Sequence, residues 1–129
     1  MPLILPSHPP LFNCLIRTHH ITSRKKLQRV RHAAEQLHID WVLIRSGGCP
    51  GVMFAETRDE DALQQWVAAV KALRYKDFRC IARPLATVSV SAVRHMDDLR
   101  FEETESMKVF AEKLDSRGLG SWYKALMFS

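Results

Sequence analysis

Apolar positions early in the chain change from strand-like to helix-like spacing. The run from Leu11 to Ile16 is short and continuous, which predicts a first strand that extends towards Ile21. Thr22 or Ser23 then offers an N-cap, because a hydroxyl oxygen can accept a free amide of the first turn. Apolar residues recur at helical spacing from there, which predicts an amphipathic helix over roughly 23–38 with Leu27, Val30, Ala34 and Leu37 on its buried face.

A hairpin is predicted next. The apolar segments 40–45 and 52–55 are indicative of the second and third strands, and Ser46–Gly51 between them contains three glycines and Pro50, which favour a turn. This turn lacks the Lys-Ser/Thr of a phosphate-binding loop.

The second half of the pattern predicts another helix and a further strand. Thr57 and Glu60 match a capping box, so a helix is expected over about 59–74, with Trp66, Val70 and Leu73 buried. A fourth strand follows at 78–81. The alternation of Val88, Val90 and Ala92 predicts either its continuation or an edge strand. Two further helices are expected, at 102–114 and 122–128.

This order of elements, β-α-β-β-α-β followed by helices, predicts an α+β fold of the ferredoxin-like class. We expect an antiparallel four-stranded sheet with two helices on one face, plus the C-terminal helices. The length of 129 residues suits one domain, which we place at 11–129 after an extended, proline-rich arm at 1–10.

Composition excludes several classes of protein. Hydrophobic residues make up 47% and charged residues 26%, as in ordinary globular domains. No apolar run approaches the roughly 20 residues of a membrane helix, and the first residues lack the charge of a signal peptide. The three cysteines are widely spaced without a CxxC pair, so neither disulfides nor a zinc site is expected, and an intracellular location is favoured.

The net charge of +5 is concentrated before residue 95, and the remainder is mildly acidic. Arg24, Lys25 and Lys26 fall in the first turn of the first helix, where the helix dipole disfavours cations. With Arg17, His19, His20 and Arg29 they form an acid-free stretch. A helix N-terminus among cations predicts an anion site; the alternative is a solvated basic face.

A second basic stretch lies where the second helix is expected to end. Its cations are Lys71, Arg74, Lys76, Arg79 and Arg83, opposed only by Asp77, with Tyr75 among them. An aromatic ring among cations is compatible with stacking on a nucleic-acid base, although such a tyrosine can equally cap the core.

Candidate catalytic groups are sparse. His20 and Thr22 form one H-x-T triplet, whereas two-histidine phosphoesterases use two such motifs to supply an acid and a base. Asp97, Asp98 and the glutamates at 102–105 fit a solvated acidic helix start better than a cation site. We therefore predict no catalytic residues, no metal site and no cofactor.

Four segments together resemble a known domain: 19–26 with its paired histidines, 34–37, the Pro-Gly turn with the strand after it at 48–56, and 66–75 with its closing aromatic. The series is similar to the C-terminal domain of the spliceosomal pre-mRNA-processing factor three family, which also follows the RWD domain in RWD-domain-containing proteins. The similarity covers roughly His19 to Arg83, and 102–126 looks like the closing helices of that domain.

The resemblance implies a ferredoxin-like fold and, for the splicing factor, binding of small nuclear RNA. Our first hypothesis is accordingly an intracellular RNA-binding module, with a nuclear location slightly favoured over a cytoplasmic one. The expected RNA-binding residues are Arg17, His19, His20, Arg24, Lys25, Lys26, Arg29, Lys71, Arg74, Tyr75 and Lys76. The second hypothesis is a protein-interaction domain that docks through its sheet or its C-terminal helices.

Overall fold

The computed structural model describes residues 11–87 and 99–128. Along these residues the elements run β1 (Leu11–Thr18), α1 (Arg24–Gln36), β2 (Trp41–Arg45), β3 (Gly51–Thr57), α2 (Glu60–Ala72), β4 (Arg79–Thr87), β5 (Arg100–Thr104), α3 (Met107–Asp115) and α4 (Gly120–Phe128). The predicted N-terminal arm, the alternating segment at 88–93 and the acids Asp97 and Asp98 lie outside the described residues.

The sheet has the strand order β4-β1-β3-β2-β5. Strand β1 pairs antiparallel with both β3 and β4, and β2 pairs antiparallel with β3. These four strands, with α1 and α2 between them in the chain, confirm the ferredoxin-like α+β fold.

The fifth strand corrects two expectations. Residues 100–104 form β5, which pairs parallel with β2, so the sheet is mixed and not purely antiparallel. The third helix therefore begins at Met107 and not at Glu102. Ser106 fixes that start, because its Oγ accepts a hydrogen bond from the amide of Val109 at 3.1 Å.

Both faces of the sheet are covered by helices. Helices α1 and α2 bury Leu27, Val30, Trp66 and other apolar residues against one face. Helices α3 and α4 cover the opposite face with Phe110, Leu114 and Tyr123 among others. The indole N–H of Trp66 donates to the carbonyl oxygen of Val30 at 3.2 Å, which joins α2 to α1. The two helices predicted to share one face do so, and α4 matches the predicted terminal helix.

The helix caps are confirmed for α1 and corrected for α2. Ser23 Oγ accepts from the amide of Lys26 at 3.1 Å. The second helix is capped by Asp59, whose carboxylate accepts from the amide of Ala62 at 3.2 Å, and not by Thr57, which lies in β3. An ionised carboxylate is the stronger acceptor at a helix N-terminus, because it also interacts with the dipole.

Candidate functional site

Basic side chains gather at one end of the sheet, where β1, β2 and β5 finish and β3 and β4 begin. We call this the basic end. Its described carboxylates are Asp77, Glu103 and Glu105. Its described lysines and arginines are Arg17, Arg24, Lys25, Lys26, Arg45, Arg74, Lys76 and Arg79.

The structure brings the two predicted basic stretches together at this end. Lys26 Nζ lies 3.4 Å from the carbonyl oxygen of Arg74. The amide of His19 donates to the carbonyl oxygen of Lys76 at 2.8 Å. The turn after α2 therefore packs beside the start of α1, and cations far apart in the sequence share one surface.

The outer surface of α1 carries cations that the fold leaves available. Lys25 and Arg29 are four residues apart, so their side chains are neighbours on the helix, opposite the buried Val30. Both are exposed, and neither forms an ion pair with any described residue. Lys25 lies in the first turn of α1, where the helix dipole adds positive potential to its own charge. His32 continues the same exposed stripe.

Arg24 differs from its neighbours, because it already has an anion. Its guanidinium donates to both carboxylate oxygens of Glu103 in β5, which lies 79 residues away in the sequence. The hydroxyl of Ser46 donates to the same carboxylate at 2.5 Å. These hydrogen bonds, that of Arg24 foremost, hold the pKa of Glu103 below its usual range. Arg24, one of the predicted RNA-binding residues, is thus already paired with a carboxylate from β5, an element that the sequence did not predict.

Tyr75 is also placed differently from the stacking hypothesis. Its side chain belongs to the core between the sheet and helices α1 and α2, with 7% of its surface exposed. Lys26 Nζ covers the ring, 5.1 Å from the centroid. Tyr75 therefore presents no open platform for a base and acts as the core cap that was the alternative interpretation. Burial raises its pKa to about 12.

The turn between α2 and β4 holds its cations outward. Arg74 and Lys76 are exposed there, and Lys71 is exposed in the last turn of α2 just before it. Arg74 and Asp77 both adopt left-handed backbone conformations, with φ angles of 58° and 57°. This conformation favours glycine, so side chains here carry a conformational cost. Left-handed residues commonly end helices, and His38 after α1 has the same conformation with a φ of 55°, so this geometry does not by itself mark a functional site.

The histidines border the basic end. His20 is exposed, and the ring of His19 lies 4.8 Å from it, centroid to centroid. His19 Nδ1 is 3.6 Å from a carboxylate oxygen of Asp77 and 3.9 Å from Cys49 Sγ. Protonated His19 would form an ion pair with Asp77, which makes it less available than His20 to an external anion.

Two further arginines lie at this end: Arg79, which belongs to the second basic stretch, and Arg45, which the sequence analysis did not single out. Arg79 lies directly opposite Arg17 in the β1–β4 ladder. Arg45 lies on the other side of Val52, which itself pairs with Arg17. Every second residue of a strand lies on the same face of the sheet, so strand alternation indicates which face each arginine occupies. That the two lie beside Arg17 follows only from the pairing between strands, which the sequence does not give.

A cleft of about 510 Å³ lies beside the start of α1, lined by Thr22, Arg24, Ser46 and the segment 103–105, among others. Glu103 already neutralises Arg24, and Glu105 adds a further negative charge, so the cleft does not suit a phosphate. Within residues 11–87 and 99–128, no three His, Cys, Asp or Glu side chains come close enough to hold a metal ion. None of the described helices is both long and apolar enough to cross a bilayer.

Comparison with known proteins leaves the function open. No family model matches the chain, and no curated protein sequence does so. A solved structure, the acylphosphatase from Bacillus subtilis, is similar with a TM-score of 0.44 and 24% sequence identity, over 73% of this chain and 98% of that one. A likeness at this level carries no functional argument, so function must be argued from the basic end itself.

Proposed function

We propose that this chain is a non-catalytic RNA-binding module that holds the phosphate backbone at its basic end. The observation that carries the proposal is the meeting of the two basic stretches, through Lys26 with Arg74 and His19 with Lys76. A polyanion that reached this surface would contact cations from α1 and from the α2–β4 turn together. Small nuclear RNA as the target, with a role in mRNA splicing in the nucleus, is the part of this proposal that comes from the sequence resemblance.

The physics of such a surface favours phosphate over base recognition. Lys25, Arg29 and Lys76 are exposed cations. Cations of this kind neutralise phosphates and so release counterions from the RNA, which supplies affinity that does not depend on the base sequence. The N-terminal amides of α1 add a positive partial charge at the same place. We therefore expect affinity to depend on strand charge and salt far more than on RNA sequence.

The helices on both faces of the sheet separate this proposal from the commonest mode of RNA binding in ferredoxin-like folds. That mode stacks bases on exposed aromatics of an open sheet. Here the aromatics that the strands themselves contribute to the α3–α4 face, Trp41 and Phe54, are at most 3% exposed. The RNA would accordingly bind at the end of the sheet and along α1.

The second candidate is a protein-interaction domain. Because both sheet faces are covered, its partner would have to use the strand edges or the outer helical surfaces. Phe128 at the end of α4 is the observation in favour, since 71% of this large apolar side chain is exposed. The affinity of an apolar contact of that kind would be insensitive to salt, whereas the affinity for phosphates would fall as the salt concentration rises.

The test is the salt dependence of binding to single-stranded RNA of mixed sequence, measured by fluorescence anisotropy. If about four phosphates are contacted, the slope of log K against log salt should be near −3, because each contact contributes about −0.7. Absence of binding at low salt, or a slope near zero, would remove the proposal and leave the protein-interaction domain ahead.

A further inference from the structure

Arg17 and Arg79 stand side by side on the outer part of the sheet. They are register partners on the antiparallel strands β1 and β4, so their Cα atoms are about 5 Å apart. Their neighbours Ile16 and Cys80 pack towards α1 and α2. The two arginines therefore project from the opposite face, the one that carries α3 and α4.

This pairing is electrostatically unfavourable by itself. Like charges directly opposite each other destabilise a pair of strands. Both side chains are exposed, and among the described residues neither forms a hydrogen bond or an ion pair through its guanidinium. The arrangement thus leaves two complete sets of guanidinium donors unused, within reach of one common ligand.

Arg45 strengthens the positive potential of the same face. It lies across Val52 from Arg17, two strands away, or about 10 Å. Its Nε donates to the carbonyl oxygen of Glu105 at 3.0 Å and its Nη1 to that of Pro50 at 2.9 Å. Because these partners are neutral carbonyls, Arg45 keeps its charge uncompensated while its position is fixed. Arg45 therefore adds positive electrostatic potential, whereas Arg17 and Arg79 are available for direct hydrogen bonds to a ligand.

We propose that Arg17 and Arg79 form a clamp for the terminal phosphate of an RNA strand. Two adjacent guanidinium forks match the geometry of a single phosphate group, which each can bind through two parallel hydrogen bonds. Their combined charge complements a phosphomonoester, which carries nearly two negative charges at neutral pH, better than a phosphodiester with one. The inference rests on the proposed function, because that function supplies RNA as the ligand. It places the phosphorylated end of the RNA on the sheet face opposite α1.

The experiment compares one oligonucleotide sequence in three forms: with a 5′-phosphate, with a 3′-phosphate and with neither. We expect wild-type protein to bind one phosphorylated form about tenfold more tightly than the unphosphorylated strand. The preferred form identifies which end is bound. Arg17→Gln and Arg79→Gln should each abolish the preference. Equal binding of all three forms by wild type, or a preference that survives in the double variant, would overturn the clamp.

A control variant separates the clamp from the remaining basic surface. Lys25→Gln plus Arg29→Gln should weaken binding of all three forms alike and leave their ratio unchanged. The urea midpoint provides a folding check: the arginine variants should match or exceed wild type, because a repulsive pair is removed. A fall in that midpoint together with lost preference would assign the arginines a structural role and overturn the proposal.

A second measurement keeps the clamp testable if no RNA binds at all. Phenyl phosphate is titrated into the wild-type protein, and the Nε–Hε signals of Arg17 and Arg79 are followed by NMR, with phenyl sulfate at equal ionic strength as the monoanionic comparison. Saturable shifts with phenyl phosphate, weaker with the sulfate, support the clamp independently of RNA. Unchanged signals would overturn it, whatever the RNA experiments show.

Discussion

Arg24 and Glu103 are joined by two parallel hydrogen bonds, from Nη1 to Oε2 and from Nη2 to Oε1, each 2.7 Å long. The pair connects the first residue of α1 to the outer strand β5. It places a carboxylate at a helix start that otherwise contains only cations in its first turn. Glu103 therefore reduces the positive potential that an RNA strand would meet there.

Replacement of this carboxylate should strengthen RNA binding. In Glu103→Gln, the Arg24 guanidinium loses its charged partner and becomes available to a phosphate, so the salt slope should steepen by about 0.7. Glu105→Gln is the matched control, because it removes a nearby charge without freeing Arg24. Equal salt slopes for the two variants would show that Arg24 takes no part in binding.

The same substitution has a pH signature in stability. Arg24 holds the pKa of Glu103 below its usual range. A carboxyl group of this kind stabilises the fold above its unfolded pKa, and the contribution is lost as the pH falls through the folded pKa. Urea unfolding should show wild type more stable than Glu103→Gln at neutral pH, with the difference closing in acid. A difference that persists at low pH would contradict the assignment.

Arg74 provides a cation that can be removed with a gain in stability. Its φ of 58° is a left-handed conformation at the end of α2, where glycine is the favoured residue. Arg74→Gly should stabilise the protein by about 1 kcal/mol, whereas Arg74→Gln should not. Both variants should weaken RNA binding equally, because both remove the charge. Unfolding in urea and anisotropy titrations measure the two effects; unequal losses of affinity would show that the backbone, and not the charge, matters to RNA.

Arg117 should matter to stability more at neutral than at acid pH. It forms an ion pair with Glu56, which is 2% exposed and whose pKa is raised by burial and lowered by Arg117. Arg117→Ala leaves a buried carboxylate without its cation, which should cost about 3 kcal/mol at pH 7.5. The loss should shrink towards pH 5, because protonated Glu56 needs no cation.

Lys113→Ala is the comparison for that experiment, since Lys113 pairs with the more accessible Glu102. Removal of this partly exposed partner should cost at most about 1 kcal/mol. Urea unfolding of both variants at the two pH values distinguishes them. A loss for Arg117→Ala that is independent of pH would mean that its packing against the Trp41 ring, 4.8 Å away, outweighs the ion pair.

The tyrosines should resist ionisation. The chain has two, Tyr75 and Tyr123, and burial raises the pKa of both, to about 12 for Tyr75. A phenol with a raised pKa contributes stability that is complete below the unfolded value near 10 and is lost as the pH rises through the folded value. The tyrosinate absorbance of the folded protein at pH 10 should thus lie well below half of its maximum. Half-maximal absorbance there would contradict the burial of both rings.

Sequence patterns predicted best those features that depend on the residues of a single helix or strand. Leu27, Val30 and Ala34 recur at helical spacing, and Ser23 caps the helix, so α1 could be predicted from its own residues. The hairpin and the order of the first four strands followed in the same way. Exposed cations on α1 were found because their charge opposes the helix dipole, a signal carried entirely by local sequence.

The missed features depend on contacts distant in the sequence. Strand β5 is five residues long and rich in glutamate, which favours a helix start, and it forms through parallel pairing with β2. Its position could not be derived without tertiary pairing, so neither could the neutralisation of Arg24. The Arg17–Arg79 pairing was hidden for the same reason, since register between strands is a property of the assembled sheet.

The most direct test of the account removes charge from the outer surface of α1. RNA affinity is measured against salt for wild type, for Lys25→Gln plus Arg29→Gln, and for Lys108→Gln plus Lys124→Gln, which removes the same charge from exposed positions of α3 and α4. The account predicts a slope lower by about 1.4 for the α1 variant only, independent of RNA sequence. Its stability should hold or rise slightly, because Lys25 leaves the positive end of a helix dipole. A slope equal to that of wild type would contradict RNA binding at the basic end and along α1.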